Sequence, residues 1–319
     1  MSDCTIEPGT RLFSCAAAAN QYIAEDSSFA PYPSVRRLAQ DAPALPLRCR
    51  DSGEACYAQE LPGGTPAVPR GRLNGIQAGM ENAVFGFPGV CGIGWPVDVI
   101  TDEDGLRLFM VFHYAEDAMR RMFPGGAFAP LAEQLPLCAA PPPERAPQWC
   151  AALRALCGQV KAAGFSLGGF SADQVWVEPE GARLFLQADT GVCANRLLRC
   201  GVRRAADLCR PAAPERPQAE PAAGALDDFS LAALCFWMEI GCHPFACRSV
   251  QRWSMPDARA QQYQYTPYFV FDDRYPQERI GVFANEEDAE ARWRALAPEA
   301  QKNYLEIFRL SSAQSDHTE

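Results

Sequence analysis

The pattern of apolar and polar positions is clearest between residues 148 and 245. Trp149, Leu153, Leu156 and Val160 recur at helical spacing, which predicts a helix over residues 148–163. Val175-Trp176-Val177 and Leu184-Phe185-Leu186 are runs of strand formers on either side of Pro179-Glu180-Gly181, which predicts a hairpin. Leu231, Leu234, Cys235, Phe236, Trp237 and Met238 leave little polar face, so that stretch reads as a buried helix with Gly241 placed to stop it.

Upstream, residues 92–114 read strand, turn at Asp102-Glu103-Asp104-Gly105, then strand. Residues 31–62 read as a small antiparallel sheet of Val35–Ala39, Leu45–Cys49 and Ala55–Leu61, the last entered by Asp51-Ser52-Gly53. Leu73, Ile76, Met80 and Ala83 put a helix over 72–83. Leu12, Phe13, the Ala16–Ala19 run, Tyr22 and Ile23 suggest a short N-terminal helix. Near the other end, Trp293 and Leu296 share a helix, and Pro298 opens another with Tyr304, Leu305, Ile307 and Phe308 on its apolar face.

Composition narrows the class. The chain has 319 residues, 48% of them hydrophobic, enough for one two-lobed domain or two modest ones with a sizeable core. A net charge of −10 argues against nucleic acid or an anionic membrane surface as the main partner. No stretch approaches the length of a membrane span, and MSDCTIEPGTRLF lacks the features of a secretory leader, so a cytoplasmic protein is expected. The fourteen cysteines lie scattered through apolar segments without a C-x-x-C pair, which reads as buried thiols in a reducing compartment.

The order of these blocks resembles the protein kinase-like superfamily. Asp189-Thr190-Gly191 looks like the metal-binding Asp-Phe-Gly, and Ala213-Pro214-Glu215 like Ala-Pro-Glu. Asp227-Asp228-Phe229-Ser230-Leu231-Ala232 resembles the start of the buried kinase helix, and Pro244-Phe245 its end. The resemblance implies an α+β, bilobed kinase-like fold: an N-terminal extension over 1–30, a small β-rich lobe and hinge over 31–114, a larger mainly helical lobe over 115–310, and a tail over 311–319. It implies ATP with magnesium as the candidate cofactor. Val111, Phe112 and His113 would meet the adenine at the hinge, Asp189 would hold the metal, and Gln174 would take the second metal-binding place. Glu215 and Asp227 would be structural, with Arg279 as a partner for Glu215. Asp227 is also a possible ordinary helix N-cap.

The same correspondence exposes what has changed. Gly169 stands where kinases carry the catalytic Asp, Ser171 replaces the Lys that neutralises the transferred group, and Gln174 replaces a metal-binding Asn. Gln59, in Ala58-Gln59-Glu60, takes the place of the phosphate-binding Lys, and a neutral amide supplies no charge there. Without that Lys, Glu81 reads as a surface residue. The resemblance therefore points to a pseudokinase. Two alternatives stand beside it: an atypical active kinase in which Asp173 is the base and Asp189 holds the metal, and a module that senses nucleotide without turnover. Trp95-Pro96, the acidic turn, Phe109-Met110 and Tyr265–Asp273 are similar to one bacterial subgroup. Its members occur beside von Willebrand-type proteins and metal-dependent phosphatases in tellurite-resistance-type gene clusters. That implies a protein partner of one of those kinds.

Overall fold

A computed structural model of the chain describes residues 6–15, 21–26, 44–60, 86–87, 89–135, 143–167, 169–188, 193–194, 223–245, 268–278 and 286–308. Strands β1 (Arg11–Ser14), β2 (Gln21–Ala24), β3 (Ala44–Cys49) and β4 (Ala55–Glu60) come first. Then come β5 (Gly86–Phe87), β6 (Cys91–Gly94), β7 (Asp98–Thr101) and β8 (Leu108–His113). Six of them close into a barrel in the order β1-β2-β3-β4-β8-β7. Its interior holds Leu12, Tyr22, Ala24, Leu47, Cys56, Ala58, Ile100, Phe109 and Val111. Along β4, β7 and β8 these positions alternate with Tyr57, Val99, Leu108, Met110 and Phe112, which build a second core on the outer face.

The helix expected at the N-terminus is corrected by this barrel. Leu12 pairs with Tyr22 across β1 and β2, and both side chains are buried. β1 also pairs with β7, through Phe13 and Thr101, so Arg11–Ser14 and Gln21–Ala24 are strands of the barrel. A buried carboxylate marks the seam: Asp98 accepts hydrogen bonds from Ser14 Oγ at 2.8 Å, Tyr22 Oη at 3.0 Å and Val99 N at 2.7 Å. The expected turns are present. Gly53 and Gly105 adopt φ of 69° and 68°, which favours glycine, and Gly105 N donates to Asp102 O. The strand expected over Val35–Ala39 and the helix expected over 72–83 lie outside the described residues.

β8 runs directly into α1 (Ala115–Met122). β9 (Ala129–Pro130), α2 (Leu131–Gln134) and α3 (Ala146–Ala162) follow. After them come β10 (Phe165–Ser166), β11 (Val175–Val177), β12 (Leu184–Gln187) and β13 (Cys193–Ala194). The chain then forms α4 (Ala223–Ile240), α5 (Glu286–Ala295) and α6 (Pro298–Phe308). A second sheet has the order β5-β6-β12-β11-β9, and β6 lies parallel to β12 just before the chain returns to the barrel at β7. β10 and β13 form a small antiparallel pair.

Helices α3 and α4 pack through Trp149, Leu153, Leu156 and Val160 against Leu234, Cys235, Trp237 and Met238, as the helical spacing predicts. Gly241 ends α4 with φ 81° and its N–H bonded to Trp237 O. The other face of α4 meets an aromatic cluster of Phe236, Phe269, Phe271, Trp293, Tyr304 and Phe308. A polar clamp ties three helices: Arg154 donates to Glu239 at 2.6 Å, and Tyr304 Oη donates to Glu239 at 2.7 Å.

Candidate functional site

The loop between β10 and β11 is held from below by α4. Asp227 lies a turn inside that helix, which begins at Ala223, so it is not the N-cap. Its carboxylate reaches outward. Oδ2 accepts from Ser166 Oγ at 2.7 Å and Leu167 N at 2.8 Å, and Oδ1 accepts from Gly169 N at 2.7 Å. Ser230, one residue short of a full turn later, accepts from Phe170 N at 3.1 Å. Burial pushes the Asp227 carboxyl above the usual carboxylate range, opposed by the bonds from Gly169, Leu167 and Ser166. Gly169 sits on this anchored loop with φ 87°, a left-handed conformation that L side chains rarely adopt.

Ser171 and Gln174 bracket a short 3₁₀ turn, Ala172–Gln174, that carries half-buried Asp173 at its centre. Gln174 is 1% exposed, and its amide is committed at both ends. Oε1 accepts from Ser171 N at 2.9 Å and from its hydroxyl at 3.4 Å, while Nε2 donates to Gln187 O at 3.4 Å. Gln174 therefore latches the loop to the end of β12, two positions before Asp189. Asp189 and Glu215 lie outside the described residues, as do Arg279 and Glu81. Among the described residues, no three His, Cys, Asp or Glu side chains gather as a metal site would require.

On the barrel side, Gln59 is buried at 3% exposure beside Met110 in the ladder. The three residues expected at the hinge, Val111, Phe112 and His113, all lie in the β8 ladder. Val111 pairs with Ala58 on one side and Asp98 on the other, and its carbonyl accepts from Val97 N. Phe112 pairs with Tyr57. Both are interior ladder residues, because β8 continues through His113 before the chain turns into α1. His113 is half-buried. Nδ1 lies 3.8 Å from Cys56 Sγ and Nε2 3.4 Å from Arg121 Nη1. Burial lowers its pKa, opposed by Asp117. The structure thus brings Gly169, Ser171, Gln174 and Asp173 onto one loop and leaves His113 in a separate polar contact.

Two residues at the junction of barrel and second sheet were not singled out from the sequence. Tyr57 on β4 is 1% exposed and stacks on Phe112, ring centroids 5.4 Å apart at 20°, with Tyr114 also at 5.4 Å. Gln187, the polar end of the otherwise apolar β12, is 2% exposed and neighbours the Tyr57 phenol. Burial pushes that phenol far above its ordinary pKa, with the Gln187 amide opposing. One weak signal existed for Gln187: an amide closing an apolar run just before Asp189.

No family model and no curated protein matches the chain. Among solved structures it is similar to a rhoptry kinase from Toxoplasma gondii, at 12% identity and a TM-score of 0.41, over 99% of this chain and 88% of that one. It is similar to a rhoptry antigen kinase domain specific to Toxoplasma gondii, at 11% identity and a TM-score of 0.38, over 94% and 86%. It is also similar to a Toxoplasma gondii virulence factor with a protein-kinase fold and no enzymatic activity, at 11% identity and a TM-score of 0.41, over 93% and 84%. No helix among the described residues is long and apolar enough to cross a membrane.

Proposed function

We propose that the chain is a protein kinase-like domain that has lost phosphoryl transfer and serves as a scaffold or regulatory subunit in bacterial phospho-signalling. The observation that carries this reading is Asp227. Its carboxylate fixes the loop through Ser166, Leu167 and Gly169, while the position for the working carboxylate is Gly169. Phosphoryl transfer rests on positioning and charge neutralisation. The positioning frame is kept here, and Gly169, Ser171 and Gln59 stand where it would position charged groups.

Magnesium nucleotide fits the described residues poorly. Gln174 would have to break its bonds to Ser171 and Gln187 to reach a metal, and Gln59 is buried without charge. No catalytic step is therefore assigned. The expected partner is a protein, with a metal-dependent phosphatase or a von Willebrand-type protein as the first candidates. Purified chain incubated with radiolabelled ATP and Mg²⁺ or Mn²⁺ should transfer no label to itself or to a generic acceptor. Clear turnover that disappears in Asp173→Asn would overturn the proposal in favour of the atypical kinase.

A further inference from the structure

We infer that Tyr57 is a built-in plug that closes the nucleotide cleft from inside, an assignment of place that rests on the kinase-like reading above. Tyr57 sits in the middle of β4, and its ring projects to the same side as its ladder partner Phe112. From there it meets Tyr114, at the entry to α1, and the Gln187 amide of the second sheet. Centroids 5.4 Å apart are already in direct contact. No planar ligand fits between those rings unless Tyr57 moves out. Phe112 and Tyr114 are fully buried, so the stack is a filled interior and not the wall of an open groove.

The second sheet is shaped to complete the seal. Gln187 lies directly on Gly94 of the neighbouring strand β6, where an added Cβ would fall 2.2 Å from Gln187 Oε1 and 2.9 Å from Phe185 Cζ. Only glycine lets the amide lie there. The fit is apolar more than polar. Among the described residues, Tyr57 Oη, Gln59 Oε1 and Gln187 Oε1 are buried without a hydrogen-bond partner. Stranded polar atoms oppose closure. Ring contact is therefore what holds the junction shut, and deleting the ring should open it.

The test is saturation-transfer NMR with adenosine, an uncharged probe that needs no cationic partner. It is run on the native chain, Tyr57→Phe, Tyr57→Leu and Tyr57→Ala, with circular dichroism as the folding check. The native chain and Tyr57→Phe keep the ring and should show no transfer. Tyr57→Ala should show saturable transfer that p-cresol suppresses by refilling the hole. If Tyr57→Ala does not fold, Tyr57→Leu carries the same outcomes. Equal adenosine signals from the native chain and the variants overturn the plug, and so does a folded Tyr57→Ala or Tyr57→Leu that gives none. Adenosine binding to the native chain without phosphoryl transfer sinks the plug alone. Transfer by the native chain sinks the proposed function.

Discussion

Replacing Asp227 by Ala should separate a structural carboxylate from its ordinary neighbour Asp228. Asp227 accepts three hydrogen bonds, two of them from the backbone amides of Leu167 and Gly169. Deleting it leaves those amides facing a hole. A buried donor without an acceptor costs about 1–3 kcal/mol, so the pair costs roughly 2–6 kcal/mol. Part of that is recovered, because burial already disfavours the charged carboxyl. The expected loss is about 2–4 kcal/mol, a large share of a typical stability on the order of 5–15 kcal/mol. Among the described residues Asp228 pairs with Lys161, and their side chains are 56% and 60% exposed. Such a pair contributes about 0–1 kcal/mol, so Asp228→Ala should be near neutral. Urea unfolding followed by the fluorescence of buried Trp149 and Trp237 measures both. An Asp227→Ala loss under about 0.5 kcal/mol, the range of an ordinary surface change, would refute the anchoring argument.

The other predictions concern pH and the loop glycine. His243 is buried with its pKa lowered to about 3, so the fold excludes a proton that the unfolded chain takes up below 6.5. Its contribution is complete above 6.5 and fades as pH falls towards 3, by about 1.4 kcal/mol per unit, or about 2 kcal/mol at pH 5. His243→Phe should flatten stability between pH 7.5 and 5; an unchanged slope would count against the assignment. Gly169→Asp restores a carboxylate at the kinase position, but φ of 87° makes any L residue there cost about 1–2 kcal/mol. The variant should unfold at lower urea and transfer no phosphate, and a gain of transfer would contradict the view that the surrounding charges are missing too.

What could be read in advance follows how local each cause is. The hairpin of Val175–Val177 with Leu184–Gln187, the turn at Asp102–Gly105, the stop at Gly241 and the Pro298 helix start all have causes within a few residues. β1 and β2 do not. Each has four residues, too few for a period of two to declare itself, and their pairing depends on a partner strand and on β7 far along the chain. The apolar run through Val111 and Phe112 gives no sign of where the β8 ladder ends and the connection to α1 begins. For Asp227 the sequence allows two structural roles, and the start of α4 at Ala223 decides between them. Tyr57 and Gln187 carry little local signal, because they meet only where the two sheets come together.

Barrel closure also limits how anything can attach to this half of the protein. With β1 bonded to both β2 and β7, the six strands leave no margin onto which a foreign strand could add by backbone pairing. A visitor must instead read outward side chains, such as Leu106 on the β7–β8 turn, which is 60% exposed. Interface mapping on this half should therefore begin at the tips of its turns.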